Sequence, residues 1–226
     1  MLFRQFFDPE SSTYTYLIAA ATGGDCIIVD PLRERLGEYL RAVSELDLRL
    51  TAALDTHLHA DHVTALGALT DATGCVARLP AAAAVDGAVV FHDGEDVGVV
   101  GVPVRVLATP GHTDDSCCFL LADRVLTGDT LLIRGTGRTD FQNGDAHTAW
   151  ASLQKLLALP DETLVYPAHD YKGWTVSTIG EERRHNPRLQ VGSAEAYAEL
   201  MAELNLPHPK LIDSALPANR RLGRDT

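Results

Sequence analysis

Three histidines and one aspartate fall within six consecutive positions, His57 to His62, in the stretch DTHLHADH (55–62). Imidazole and carboxylate are natural ligands of borderline transition metals. So dense a set constrains the fold, because the backbone must be rigid enough to aim several of these side chains into one pocket. LTAALDT (50–56) has strand character, and residues 60–71 have helical spacing that ends at Gly74. The motif is therefore expected at the end of a strand, with Asp61 and His62 on the first turn of the following helix.

Further ligand types stand at the ends of other predicted strands: His112 in TPGHTDDS, Asp129 in LTGDT and His169 in YPAHDY. A solitary histidine after a strand is ordinarily a surface or capping residue, and His92, His147, His185 and His208 are read that way. HxHxDH followed by three more strand-end ligands is instead read as a metal site. The residues alone leave open whether it takes one ion or two. One ion with vacant positions suits oxygen chemistry, whereas metal-activated hydroxide suits hydrolysis.

Strand-like and helix-like runs interleave along the chain. YTYLIAA (14–20) and DCIIVD (25–30) flank Thr22-Gly23-Gly24, a hairpin signal. After Pro31, the residues Leu36, Leu40, Val43 and Leu46 recur at helical spacing. VGVVGVPVRVLATP, SCCFLLA and RVLTGD predict three strands within 97–127, and TLVYPAH (163–169) predicts another. Asp145 can cap a helix carrying Trp150, Leu153 and Leu157, and Tyr197, Leu200, Met201 and Leu204 mark a last amphipathic helix after Ser193. This pattern predicts helices layered on sheets, with two sheets inside. Without repeats or linkers, residues 1–226 are expected to form one domain.

Net charge of −12 excludes a general nucleic-acid binder but permits a local arginine pocket for an anion. Cys26, Cys75, Cys117 and Cys118 show no CxxC spacing and read as reduced core thiols, Cys117 and Cys118 on opposite faces of a strand. The segment MLFRQFFDPESS places Asp8 and Glu10 where a signal peptide needs apolar residues. No apolar run approaches the roughly 18–20 residues of a membrane span. The expected location is the cytoplasm, away from membranes.

THLHADH, PGHT, TGD and PAHD resemble the metallo-β-lactamase superfamily. The resemblance implies an α+β fold, an αββα four-layer sandwich with metals at the sheet edge. By position, His57, His59, His112 and Asp129 match one superfamily metal site, and Asp61, His62, Asp129 and His169 match the other. Asp30, in IVDP, matches a position that supports the ligand loop and reads equally well as a turn acid before Pro31.

A narrower resemblance comes from LLIRGTGRTDFQ (131–142), YPAHDYKGWTVSTIGEE (166–182), NPRL (186–189) and LNLPHPKLIDSALPAN (204–219). Together these are similar to the persulfide dioxygenases and span nearly the whole chain, ending in a short C-terminal helical extension. The resemblance implies one Fe(II) per chain held by His57, His112 and Asp129, with His59, Asp61, His62 and His169 orienting ligands or holding a second metal. The implied reaction converts glutathione persulfide, O₂ and water to sulfite and glutathione. Arg138 and Arg188 match substrate-binding arginines, Tyr171 matches a tyrosine near the iron, and relatives point to a homodimer. Thr136 stands where the best-known members carry cysteine; it can hydrogen-bond but cannot be oxidised. The alternative enzyme is a dinuclear, glyoxalase-II-like hydroxyacylglutathione hydrolase. A non-catalytic binding or redox-sensing protein of the same fold would be expected to lack several ligands.

Overall fold

Alternating apolar residues decide the layering. The structure is a computed structural model describing residues 1–204, 206–207 and 211–224, so His208 lies outside the described residues. In chain order the elements are β1 (Leu2–Asp8), β2 (Thr13–Ala19), β3 (Asp25–Val29), α1 (Leu36–Glu45), β4 (Arg49–Leu54), α2 (Leu66–Thr73), β5 (Val76–Pro80) and β6 (Val89–Phe91). Then follow β7 (Arg105–Ala108), β8 (Cys117–Leu120), β9 (Arg124–Gly128), β10 (Leu131–Leu132), β11 (Gly135–Thr136), α3 (Ala146–Leu157) and β12 (Leu164–Pro167). The chain continues through β13 (Ser177–Thr178), α4 (Ile179–His185), α5 (Ala194–Ala202) and α6 (Ile212–Asn219).

Strands β1 to β6 form one sheet in sequence order, antiparallel through β3 and parallel from β3 to β6. The second sheet runs β13-β12-β9-β8-β7. Tyr16, Ile18, Ile27, Val29 and Leu54 face Val106, Cys117, Phe119 and Leu126 between the sheets. The alternate residues Leu17, Ile28 and Ala53 point outward under α1 and α2, while Cys118, Val125 and Val165 point outward under α3, α4 and α5. The result is the expected αββα sandwich. Cys117 and Cys118 do take opposite faces, and all four thiols are free and buried.

Parallel neighbours need a crossover, and α1 supplies it between β3 and β4 by burying Tyr39 and Val43. Asp145 caps α3 by accepting the Thr148 N–H, as read from the sequence, and Ser193 caps α5 by accepting that of Ala196. The buried face of α3 is Ala149, Leu153 and Leu156, with Trp150 and Leu157 at its margin.

Several boundaries differ from expectation. Residues 60–65 are not helical, so Asp61 and His62 sit on a loop, and α2 begins at Leu66. The cause is local: Arg33 donates to the Val63 carbonyl and Ala65 donates to that of Pro31, which ties this segment to a neighbouring loop. The strand expected from Val97 is confined to Arg105–Ala108. Asp96 accepts the N–H groups of Gly98 and Val104 and folds the intervening residues into a turn. His169 lies two residues beyond β12 rather than in it. β1 was not foreseen, and α6, which contains Pro217, follows what looked like the last helix. Among the described residues no helix is long and apolar enough to cross a membrane.

Gly111 joins this scaffold to the ligands. Its φ is +137°, and a Cβ there would lie 2.3 Å from the backbone of Ala149 in α3. Its carbonyl accepts the N–H of Asp145, locking the turn before His112 to the helix cap. Gly111→Ala is expected to destabilise the fold by roughly 2–5 kcal/mol through strain and overpacking, read as a lower urea midpoint.

Candidate metal centre

The site begins with Asp30, buried just after β3 at a φ of +51°. One carboxylate oxygen accepts the Thr56 N–H at 2.7 Å and meets His59 Nε2 at 3.1 Å, and the other accepts the Thr56 hydroxyl at 3.0 Å. An ionised carboxylate only accepts, so His59 Nε2 donates to it. Asp30 thus supports the ligand loop, the first of its two sequence readings. Leu58, between the first two histidines, is gripped on both sides. Its N–H donates to Asp115 at 2.7 Å, and its carbonyl accepts the Gln142 amide at 2.6 Å.

Three ligand atoms converge from three strand ends. The Thr56 hydroxyl has given its hydrogen to Asp30, so its oxygen accepts from His57 Nδ1 at 3.0 Å. The Nε2 of His57 keeps its lone pair. Burial, then the neighbouring His59 and His112 rings, hold the His57 pKa well below the usual histidine range, so the ring is neutral. His112 Nδ1 donates to the Arg138 carbonyl at 2.7 Å, which leaves its Nε2 free, 3.6 Å from an oxygen of Asp129. The other Asp129 oxygen accepts from His169 Nδ1 at 2.7 Å. Burial favours a neutral Asp129, but His169, His112 and His57 hold its pKa well below the usual carboxylate range. One atom from each of His57, His112 and Asp129 lies within 4.8 Å of the others. Each ligand is oriented by a bond to its remaining polar atom, the usual device for fixing ligand geometry.

A second group adjoins the first. His59, Asp61 and His62 also bring ligand atoms within 4.8 Å of one another. Asp61 meets His62 Nδ1 at 2.8 Å and His169 Nε2 at 2.9 Å. His169 is therefore bracketed by Asp61 and Asp129, with both ring nitrogens donating. Burial opposes its charge, yet the two aspartates lift its pKa well above the ordinary value. Burial likewise opposes protonation of His59, and Asp30 reverses the balance. His59 Nδ1 and His62 Nε2 are buried with no hydrogen-bond partner. Orphaned interior nitrogens beside crowded carboxylates fit a cation with nitrogen and oxygen ligands, and a dication would supply the positive charge that protonated histidines otherwise provide.

A cavity of about 870 Å³ opens from His112, Asp129 and His169, with Leu132, Ile133 and Phe141 among its walls. The Tyr171 ring stacks on His169, 5.8 Å between centroids and 9° between planes. Arg188 donates to the Thr136 carbonyl and approaches its hydroxyl. Among the described residues its guanidinium meets no carboxylate. Arg138 lines the same cavity and is already paired. It forms a two-pronged pair with Asp140 at 2.6 and 2.7 Å and donates to the Pro207 carbonyl. Thr136 is buried, with its hydroxyl 2.8 Å from that of Tyr197. His92, His147 and His185 are exposed, away from the site.

Some contributors were not singled out from the sequence. Gln142 lies inside the GRTDFQ stretch, but its grip on Leu58 depends on a loop geometry no motif displays. Glu182 is fully buried and accepts from the Arg134 backbone and guanidinium, Ser177 and Asn186, pinning the β10–β11 hairpin that forms the cavity wall. A buried glutamate beside a second, more exposed one leaves no readable signal.

The chain matches the Metallo-beta-lactamase superfamily over residues 8–90 and 78–169. Persulfide dioxygenase ETHE1, mitochondrial, of Homo sapiens is 42% identical over 230 residues, spanning 100% of this chain and 90% of that protein. The Bos taurus protein of the same name is 43% identical with the same coverage. The crystal structure of ETHE1 from Myxococcus xanthus is similar with a TM-score of 0.95 and 54% identity, covering 99% of this chain and 100% of that one. With this likeness along its whole length, the chain belongs to the persulfide dioxygenase family within the metallo-β-lactamase superfamily.

Proposed function

We propose that this protein is an Fe(II)-dependent persulfide dioxygenase that oxidises glutathione persulfide with O₂ and water to glutathione and sulfite. The observation that carries the reading is the trio of His57 Nε2, His112 Nε2 and an Asp129 oxygen, each left free because its companion atom is engaged by Thr56, the Arg138 carbonyl or His169. We assign one Fe(II) to these three residues. Held by two histidines and one carboxylate, Fe(II) would supply the redox chemistry needed to join O₂ to a sulfur anion.

The chain's own groups then have separate tasks. Arg188, with guanidinium hydrogens left over after its bonds to Thr136, binds a carboxylate of the glutathione moiety. Tyr171 covers His169 at the cavity rim and limits its contact with water. His169 keeps protons at both ring nitrogens between Asp61 and Asp129, which fixes the Asp129 oxygen left for the metal. Leu132, Ile133 and Phe141 shield the reacting sulfur from solvent. The reading takes residues 1–226 as one domain with the last helices as an extension.

The unpartnered nitrogens of His59 and His62 favour a second reading, a dinuclear hydrolase acting on an acylated glutathione. Measuring metal and O₂ uptake together separates the two. About one iron per chain, with O₂ consumed only when persulfide is added and sulfite formed in step, supports the dioxygenase. Two zinc ions with thioester cleavage, or persulfide turnover without O₂, would overturn it.

Arg188→Ala is expected to raise KM for glutathione persulfide roughly 10- to 100-fold, the weight of a charge-assisted hydrogen bond, with iron content unchanged. Arg138→Ala is expected to raise it less, because Asp140 already neutralises that guanidinium. Steady-state kinetics beside iron analysis reads both.

A further inference from the structure

Asn219, the last residue of α6, is 1% exposed and lies more than 150 positions from the ligand loop. Its amide nitrogen donates to the carbonyls of His59 and His62 at 2.8 and 2.9 Å, and its amide oxygen accepts the Thr64 N–H at 2.9 Å. Two carbonyls and one N–H fix which way the carboxamide faces. The two carbonyls bracket Asp61, whose carboxylate holds His169, which in turn holds Asp129.

The chain after α6 lies directly on this loop. Gly67 donates its N–H to the Leu222 carbonyl at 2.8 Å. At Gly223, with φ +75°, a Cβ would fall 1.9 Å from the Thr64 carbonyl oxygen, and at Gly67 a Cβ would fall 2.7 Å from the Leu222 carbonyl oxygen. Backbone therefore meets backbone through two glycines, and among the described residues of this tail the Asn219 amide is the side chain that reaches the His59 and His62 carbonyls. A separate exposed tether joins Arg224 to Asp71 and, at longer range, to the Gly67 carbonyl of α2, without touching His59, His62 or Thr64.

We propose that Asn219 is a positioning residue of the metal centre: by clamping His59, His62 and Thr64 it sets Asp61, and through His169 the orientation of the Asp129 ligand. This rests on the reading that the metal lies among His57, His112 and Asp129. Asn219→Asp keeps the size and the acceptor for Thr64 but loses both donors, Asn219→Ala loses all three bonds, and Arg224→Ala loosens the tail from α2 while leaving the bonds to His59, His62 and Thr64 in place.

The test follows release of Fe(II) from the loaded protein to a chelator, the spin-resonance spectrum of the nitric oxide adduct, the unfolding midpoint of the metal-free protein, and kcat apart from KM. Both Asn219 variants are expected to release Fe(II) roughly 10- to 100-fold faster, with an altered spectrum, lower kcat and unchanged KM, while Arg224→Ala releases it at the wild-type rate. Folded Asn219 variants with wild-type release and spectrum would overturn the proposal, as would equally fast release from Arg224→Ala. Hydrogen exchange at the Thr64 amide of the unaltered protein needs no variant. Protection to the limit of global unfolding, with and without Fe(II), is expected, and exchange as fast as in an exposed loop refutes the clamp. Full iron retention by His112→Ala would overturn the metal placement itself, and the exchange measurement would still judge Asn219.

Discussion

The carboxylate of Asp30 ties the end of β3 to the loop after β4, and the geometry of the centre descends from that bond. It takes the N–H and hydroxyl of Thr56 together with the ring of His59. Because the Thr56 hydrogen is spent there, the hydroxyl oxygen can only receive from His57, which decides which His57 nitrogen remains for a ligand role. A turn acid with a positive φ thus sets a tautomer two bonds away. The parallel pairing of β3 and β4 makes this reach possible, since both strands end at the same sheet edge.

Electrostatics gives the edge its purpose. Asp30, Asp55, Asp61 and Asp129 crowd one region, where Asp30, Asp61 and Asp129 pair with histidines. Burial pushes Asp55 well up from the carboxylate range, while His62 and His169 overcome the same pressure at Asp61 and hold it down. Carboxylates that cannot all ionise unaided recruit positive charge, first as protons on His59 and His169. This is a local property, independent of the chain's net −12, which is spread over a solvated surface.

The layers were legible because the strands carry their burial pattern openly: YTYLIAA and DCIIVD alternate faces, and adjacent Cys117 and Cys118 part to opposite sides. The gathering of His57, His59, Asp61, His62, His112, Asp129 and His169 was legible because each follows a strand that ends at one edge of the sandwich. The secondary-structure reading failed where tertiary bonds override local preference. Residues 60–65 have helical spacing, yet their backbone is claimed by Pro31, Arg33 and Asn219. The motif shows the Arg138 guanidinium but not its partnership with Asp140 two residues on. In β1 Phe3 and Phe6 pack on opposite faces, but LFRQFFD interrupts its apolar residues with Arg4 and Gln5 and shows no clean alternation.

The choice between one ion and two turns on how the two ligand groups are tethered. His57, His112 and Asp129 are each held through an atom that faces away from the pocket, so binding there breaks no existing bond. Asp61 is divided between His62 and His169. An ion that claimed Asp61 and His169 would displace the bond between them and would free Asp129 from its orienting partner. The cost falls on the first site as well as the second. Two candidate ligand groups stand side by side, and the bonds among them make Asp61 and His169 the frame that orients Asp129.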